Sequence, residues 1–108
     1  MHTLRRRGAL TAEELQAALA DYVVVDVRDL GAWRRGHIAG ALHLSVDQLG
    51  GDWPDPDPRL PVAVFADDQH SARAAVKALQ ARGRDAVEVT GGSDAWRGAG
   101  RPFVTNPY

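Results

Sequence analysis

The sequence predicts an α/β domain: a sheet of about five mostly parallel strands with helices on both faces. Three observations carry this. Residues 22–27, 62–65 and 86–89 (YVVVDV, VAVF, AVEV) are short runs of nearly continuous apolar character, as in strands buried on both sides. Between the second and third runs, Ala72, Ala75, Val76 and Leu79 recur at helical spacing, and Gly83 follows as a stop. Strand, helix, strand in that order makes a βαβ unit with parallel strands and a right-handed crossover. Finally, the chain is 108 residues long and has no cysteine, so one domain must fold on its apolar core alone.

The elements follow in order. Arg5, Arg6 and Arg7 fall in a short arm, residues 1–10, too small to be a nucleic-acid footprint. Thr11 and Glu14 form a capping box, with Leu10 and Leu15 as its hydrophobic staple, so a helix starts there and runs to about residue 19 or 20. The first strand covers residues 22–27. Leu42-His43-Leu44 is a short further strand. Residues 50–58 carry Pro54, Pro56 and Pro58 at alternate positions, which excludes helix and marks a loop. A strand at 62–65, a helix over 71–82 and a strand at 86–89 complete the unit. Gly91-Gly92 before Trp96 is a tight turn into a helix with a packed indole. The expected domain spans 11–103, and 104–108 are a surface tail.

Composition excludes several function classes. The net charge of −1 marks neither nucleic acid nor a membrane surface as a partner. No apolar run approaches the roughly 18–20 residues that span a bilayer. The N-terminus lacks the apolar core of a secretory signal, so a cytoplasmic location is expected. Without cysteine there is no disulfide, thiolate metal site or thiol nucleophile.

Two stretches carry a family resemblance. Val25-Asp26-Val27-Arg28-Asp29 continues through Trp33 to Gly36-His37-Ile38-Ala39-Gly40-Ala41. Near the end come Gly91-Gly92-Ser93-Asp94-Ala95-Trp96, Gly98-Ala99-Gly100 and Pro102. Both closely resemble the opening and closing signatures of rhodanese-like domains, and the segment between them fits in order and spacing. The resemblance covers about residues 11–103. It implies that Asp26 and Arg28, charges at the end of a buried strand, are paired and brace the sheet's edge, since unpaired charges there are costly. Asp26, Arg28, His37, Gly91, Gly92 and Trp96 are therefore read as a structural signature.

The resemblance also implies a chemistry that this chain lacks. Rhodanese domains pass sulfane sulfur through a cysteine persulfide. That cysteine follows the central strand and opens a loop that ends in arginine and leads into a helix. Converging amides and the helix N-terminus lower the thiol pKa and hold the anionic donor. Here the cysteine position falls on Ala66, and Asp67, Asp68, Gln69, His70 and Ser71 follow. Ser71, or His70 in an alignment shifted by one, stands where the arginine belongs. No glycine lies inside the loop. An alanine methyl forms no persulfide. Each carboxylate at about 5 Å, with an effective dielectric near 20, repels a unit anion by roughly 3 kcal/mol, about a hundredfold in affinity. Asp67 or Asp68 is expected to fold back and cap the following helix.

Two other chemistries on this loop lack the groups they need. Ser71 and His70 have no orienting third group for nucleophilic catalysis. Asp67, Asp68 and His70 are a weak metal signal, so no metal and no cofactor is assigned. The favoured reading is a rhodanese-like domain inactive in sulfur transfer, not an enzyme, that binds a partner protein or regulates as a monomeric module. Two alternatives stay open. One is a diverged enzyme or small-ligand or metal binder using the loop. The other is an accessory protein acting on a partner's persulfide.

Overall fold

A computed structural model describes residues 9–100 and 103–105. Five strands form one sheet: β1 (Ala9–Leu10), β2 (Val23–Asp26), β3 (Leu42–His43), β4 (Val62–Phe65) and β5 (Ala86–Val89), in the order β1-β5-β4-β2-β3. All four pairings are parallel. The α-helices are α1 (Ala12–Ala17), α2 (Leu30–Arg35), α3 (Val46–Leu49), α4 (Gln69–Ala81) and α5 (Gly92–Gly98).

Alternation along the central strands builds two cores. Ala63 and Phe65 of β4 join Val24, Leu15 of α1 and Trp96 of α5 on one face. Val62 and Val64 join Val23 and Val25 of β2, Leu49 of α3, and Ala75 and Leu79 of α4 on the other. Both faces are covered, so β2 and β4 are buried at every position. This is why their sequence reads as continuous apolar runs rather than as alternation.

Several boundaries differ from the sequence expectation. The arm expected over 1–10 enters the sheet at its end: Ala9 and Leu10 pair with Glu88 and Val89. Arg5, Arg6 and Arg7 lie outside the described residues. A two-residue edge strand carries no periodicity to detect. The first helix ends at Ala17, and a 3₁₀ turn, Leu19–Asp21, completes the stretch. The capping box at Thr11 and Glu14 is present. Helices α2 and α3 were not expected. Asp29 caps α2 through the Ala32 amide, and Ser45 with Gln48 forms a capping box on α3. The expected surface tail is stitched down at Val104, whose N–H and C=O exchange hydrogen bonds with His37. Phe103 packs against the core beside it.

Helix α4 begins at Gln69, two residues before the expected Ser71, because Asp68 is its N-cap. Only Ala66, Asp67 and Asp68 lie between β4 and α4. At its other end Arg84 N–H donates to Leu79 C=O and Gly83 N–H to Gln80 C=O. With Gly83 at φ +81°, this is a Schellman stop.

Candidate functional site at the carboxyl ends of β2 and β4

The sheet order dictates where a site can form. β2 and β4 are neighbours, yet the chain leaves them toward opposite faces. The helix after β2, α2, packs Trp33 on the first core, and the helix after β4, α4, packs Ala75 and Leu79 on the second. Connections that part in this way leave a crevice beyond the strands' carboxyl ends, where open α/β sheets bind ligands. A hollow of about 290 Å³ is found there, lined by Val27, Arg28, Asp29 and Ala32 on one side and Ala66, Asp67, Asp68 and Ser71 on the other.

One wall is a buried ion pair. Asp26 is fully buried at the end of β2. Arg28 Nε donates to both Asp26 carboxylate oxygens at 3.0 and 3.1 Å, and Nη2 to Asp26 Oδ2 at 2.8 Å. The Arg28 N–H adds a fourth bond at 2.9 Å. Nη2 also donates to Gly36 C=O at 2.7 Å, and Nη1 reaches Ser93 Oγ at 3.4 Å. The guanidinium lies over the rings of Phe65 and Phe103, 5.0 and 5.2 Å from their centroids, and the two rings meet each other edge to face. Arg28 thus ties β2 to the end of α2, the start of α5 and the C-terminal segment.

The other wall is the Ala66–Asp68 connection, and here the two acidic residues divide. Asp68 Oδ1 accepts from the Ser71 N–H at 2.7 Å and Oδ2 from Ser71 Oγ at 2.9 Å. Asp67 turns away from α4. Its Oδ1 accepts from both the N–H (2.8 Å) and the Oγ (2.5 Å) of Ser93, in the first turn of α5. Each carboxylate therefore occupies a different helix start. The α5 N-cap, Gly91, has no side chain to do this itself. Gly92 permits the approach: a Cβ there, at φ +59°, would lie 2.6 Å from Asp67 Oδ1 and 3.0 Å from Ala66 C=O.

Both carboxyls are pulled below the usual aspartate range. For Asp68 the Ser71 N–H and hydroxyl bonds are the main cause. For Asp67 burial works upward as the largest single influence, but the two Ser93 bonds and the charges of Arg28 and Arg97 together outweigh it. Both groups are anions at neutral pH.

The remaining sequence-selected residues fall into place around this arrangement. Ala66 is buried, and Gln69, His70 and Ser71 form the first turn of α4 rather than a loop. Ser71 Oγ donates to Asp68, so it is engaged in capping. Among the described residues, no group of three or more His, Asp or Glu side chains is placed to hold a metal ion. His37 is buried with its ring stacked on Trp33 at 3.5 Å, and its Nδ1 lies 2.9 Å from Trp33 C=O. Trp96 is fully buried against Phe65. Sequence reasoning missed Ser93 and Phe103 as members of the site. Both contacts are long-range, and no local pattern announces them.

A family profile described as the rhodanese-like domain matches residues 11–99. The chain belongs to the rhodanese-like domain family. Solved structures agree. The rhodanese-like fold here is similar to that of a rhodanese-related protein from Thermoplasma volcanium, with TM-score 0.81 and 27% identity over 93% of this chain and 100% of that one. A rhodanese-like domain protein from Staphylococcus aureus follows at TM-score 0.72 and 26% identity, covering 83% and 91% of the two chains. The rhodanese-like domain of an Anabaena protein, at 22% identity and TM-score 0.75, shares the fold. This rhodanese-like domain contains no cysteine anywhere in its sequence.

Proposed function

We propose that this rhodanese-like domain transfers no sulfur and serves as a docking module for a partner protein, with the rim around Ala66, Gln69, His70 and the start of α2 as the contact surface. The observation that carries this reading is the use of both loop carboxylates as helix caps. Asp67 sits on α5 and Asp68 on α4. One amide at each helix start, Ser71 on α4 and Ser93 on α5, already binds the protein's own carboxylate, and Ala66 supplies no thiol. A binding role is supported by what remains on the rim. Leu30, at the first position of α2, is 49% exposed and is the one exposed large hydrophobic side chain among the described residues. Gln69 and His70 are exposed in the first turn of α4.

The test is capture of a defined partner from lysate on the immobilised domain, compared between wild type, Leu30→Asp and His70→Glu. These changes leave both caps intact. Arg59→Ala, in the loop leading to the opposite end of β4, is the control. Loss of the same captured protein with Leu30→Asp or His70→Glu, but not with Arg59→Ala, is expected. A protein retained equally by all variants, or no retained protein at all, overturns the reading. The hollow beside Ala66 supports a second reading, a small-ligand site. It would show as a melting temperature raised by a metabolite rather than by a protein.

A further inference from the structure

A second hollow, of about 360 Å³, opens between the end of α2 and the start of α5. That is at the small end of ligand hollows, on the order of 300–1,000 Å³. Its walls carry Arg28, Arg35, Asp67, Ser93, Asp94 and Arg97. It adjoins the crevice at β2 and β4 and shares Arg28, Ala32 and Asp67 with it. Its lining differs, however: Arg35 and Arg97 stand where the crevice has Asp29 and Asp68.

The hydrogen-bonding capacity of these walls is only partly used. Arg28 is held by Asp26 and Gly36. Arg35 is exposed and makes no hydrogen bond or ion pair among the described residues; its Nη1 folds back over Gly31. Arg97 reaches Asp94 only at 4.0 Å and rests on the Phe103 ring, 4.9 Å from its centroid. On the acceptor side, Oδ1 of Asp67 takes both Ser93 bonds, and Oδ2 takes none from the described residues. The lining thus carries free donors on two guanidinium groups, and Asp67, which also lines the hollow, keeps one carboxylate oxygen without a donor among the described residues. With Asp26 counted beside Arg28, the cations Arg28, Arg35 and Arg97 are balanced by the anions Asp26, Asp67 and Asp94. A bare anion meets no net attraction here. A ligand that carries both signs meets a partner for each.

We propose that this hollow is a binding site for a small zwitterion of the α-amino-acid class, its carboxylate held by the guanidinium groups of Arg35 and Arg97 and its ammonium by Asp67 Oδ2. Guanidinium forks match carboxylate geometry, and charge-assisted bonds of this kind are roughly twice as strong as neutral ones. The site stands whether or not a protein docks on the neighbouring rim.

The test is an NMR titration of the whole chain with L-alanine, acetate and methylammonium as probes. L-alanine is expected to shift the Ser93 amide and the Nε–H resonances of Arg35 and Arg97 with saturation. Half-saturation should come at a concentration about tenfold below that for acetate or methylammonium, as one charge-assisted bond is worth. Arg35→Gln removes an exposed side chain with no partner among the described residues. It should weaken L-alanine binding about tenfold by the same reckoning, with an unchanged melting temperature; Arg97→Gln is the second variant. Acetate shifting the same resonances as readily as L-alanine would overturn the proposal in favour of a simple anion site. Absence of saturable shifts with L-alanine, or undiminished binding by both variants, would overturn it outright.

Discussion

Replacing Asp67 by alanine tests the link between the connection after β4 and the helix α5. The carboxylate accepts the Ser93 N–H and Oγ–H, and Ser93 is 9% exposed. Without Asp67 the second amide of α5 loses its acceptor, and Gly91 offers no replacement. A lost N-terminal cap costs about 0.5–2 kcal/mol, and a buried donor left unpaired about 1–3 kcal/mol. The two figures describe one event, so a loss of about 1.5–2 kcal/mol is expected. In a domain near this size each kcal/mol lowers Tm by about 4–8 °C. Asp67→Asn keeps one acceptor oxygen and should lose about half as much stability. The assay is urea unfolding followed by circular dichroism and by tryptophan fluorescence, with Trp96 on α5 as reporter. The sign with pH is determined by the depressed carboxyl of Asp67. Its contribution is full above the unfolded value, about 3.9, and is lost as pH falls through the lower folded value. Wild type and Asp67→Ala should therefore converge in acid. Equal stability at pH 7, or a difference that grows on acidification, would refute the capping role.

Arg28→Ala strands the fully buried Asp26 carboxylate and should destabilise by about 3–5 kcal/mol in urea unfolding, whereas Asp26→Ala with Arg28→Ala together should cost less than the sum of the two single changes. A strictly additive cycle would mean that the pair is not coupled. Gly92→Ala forces a Cβ to within 2.6 Å of Asp67 Oδ1 at φ +59° and should cost about 1–3 kcal/mol, seen as a lower urea midpoint. Ala66→Cys restores a thiol but neither the closing arginine nor an open amide cup. Thiocyanate formation from thiosulfate and cyanide should stay at the buffer rate, and turnover above it would contradict the reading of a self-occupied loop.

The sheet was legible because its signals are local or short-range. Continuous apolar runs at β2, β4 and β5, the Ala72–Ala75–Leu79 spacing of α4 and the Gly83 stop each encode their own element. Asp26-Val27-Arg28 was legible as a pair, since charges at a buried strand end must meet something. Helices α2 and α3 were hidden by their length: with six and four residues they lack a full apolar stripe, and only the caps at Asp29 and Ser45 marked them. The edge strand β1 was hidden for the same reason. In the site, Ala66 was recognisable from its place after β4, and a capping role for one of the two acids followed from their place before α4. Which acid caps which helix was not legible, because the Asp67–Ser93 contact joins residues 26 apart through a turn that Gly91 and Gly92 allow. Phe103 over Arg28 was hidden likewise by its distance along the chain.

The most direct test of a loop filled by its own carboxylates is a ¹³C NMR titration of the Asp67 and Asp68 carboxyl groups in the wild-type chain. Both should titrate below the ordinary aspartate value of about 3.9, since each anion is held by N–H and O–H donors at a helix start. A midpoint at or above that value for either residue would mean that its carboxylate is not held there, and that the amides of that helix remain open to a ligand.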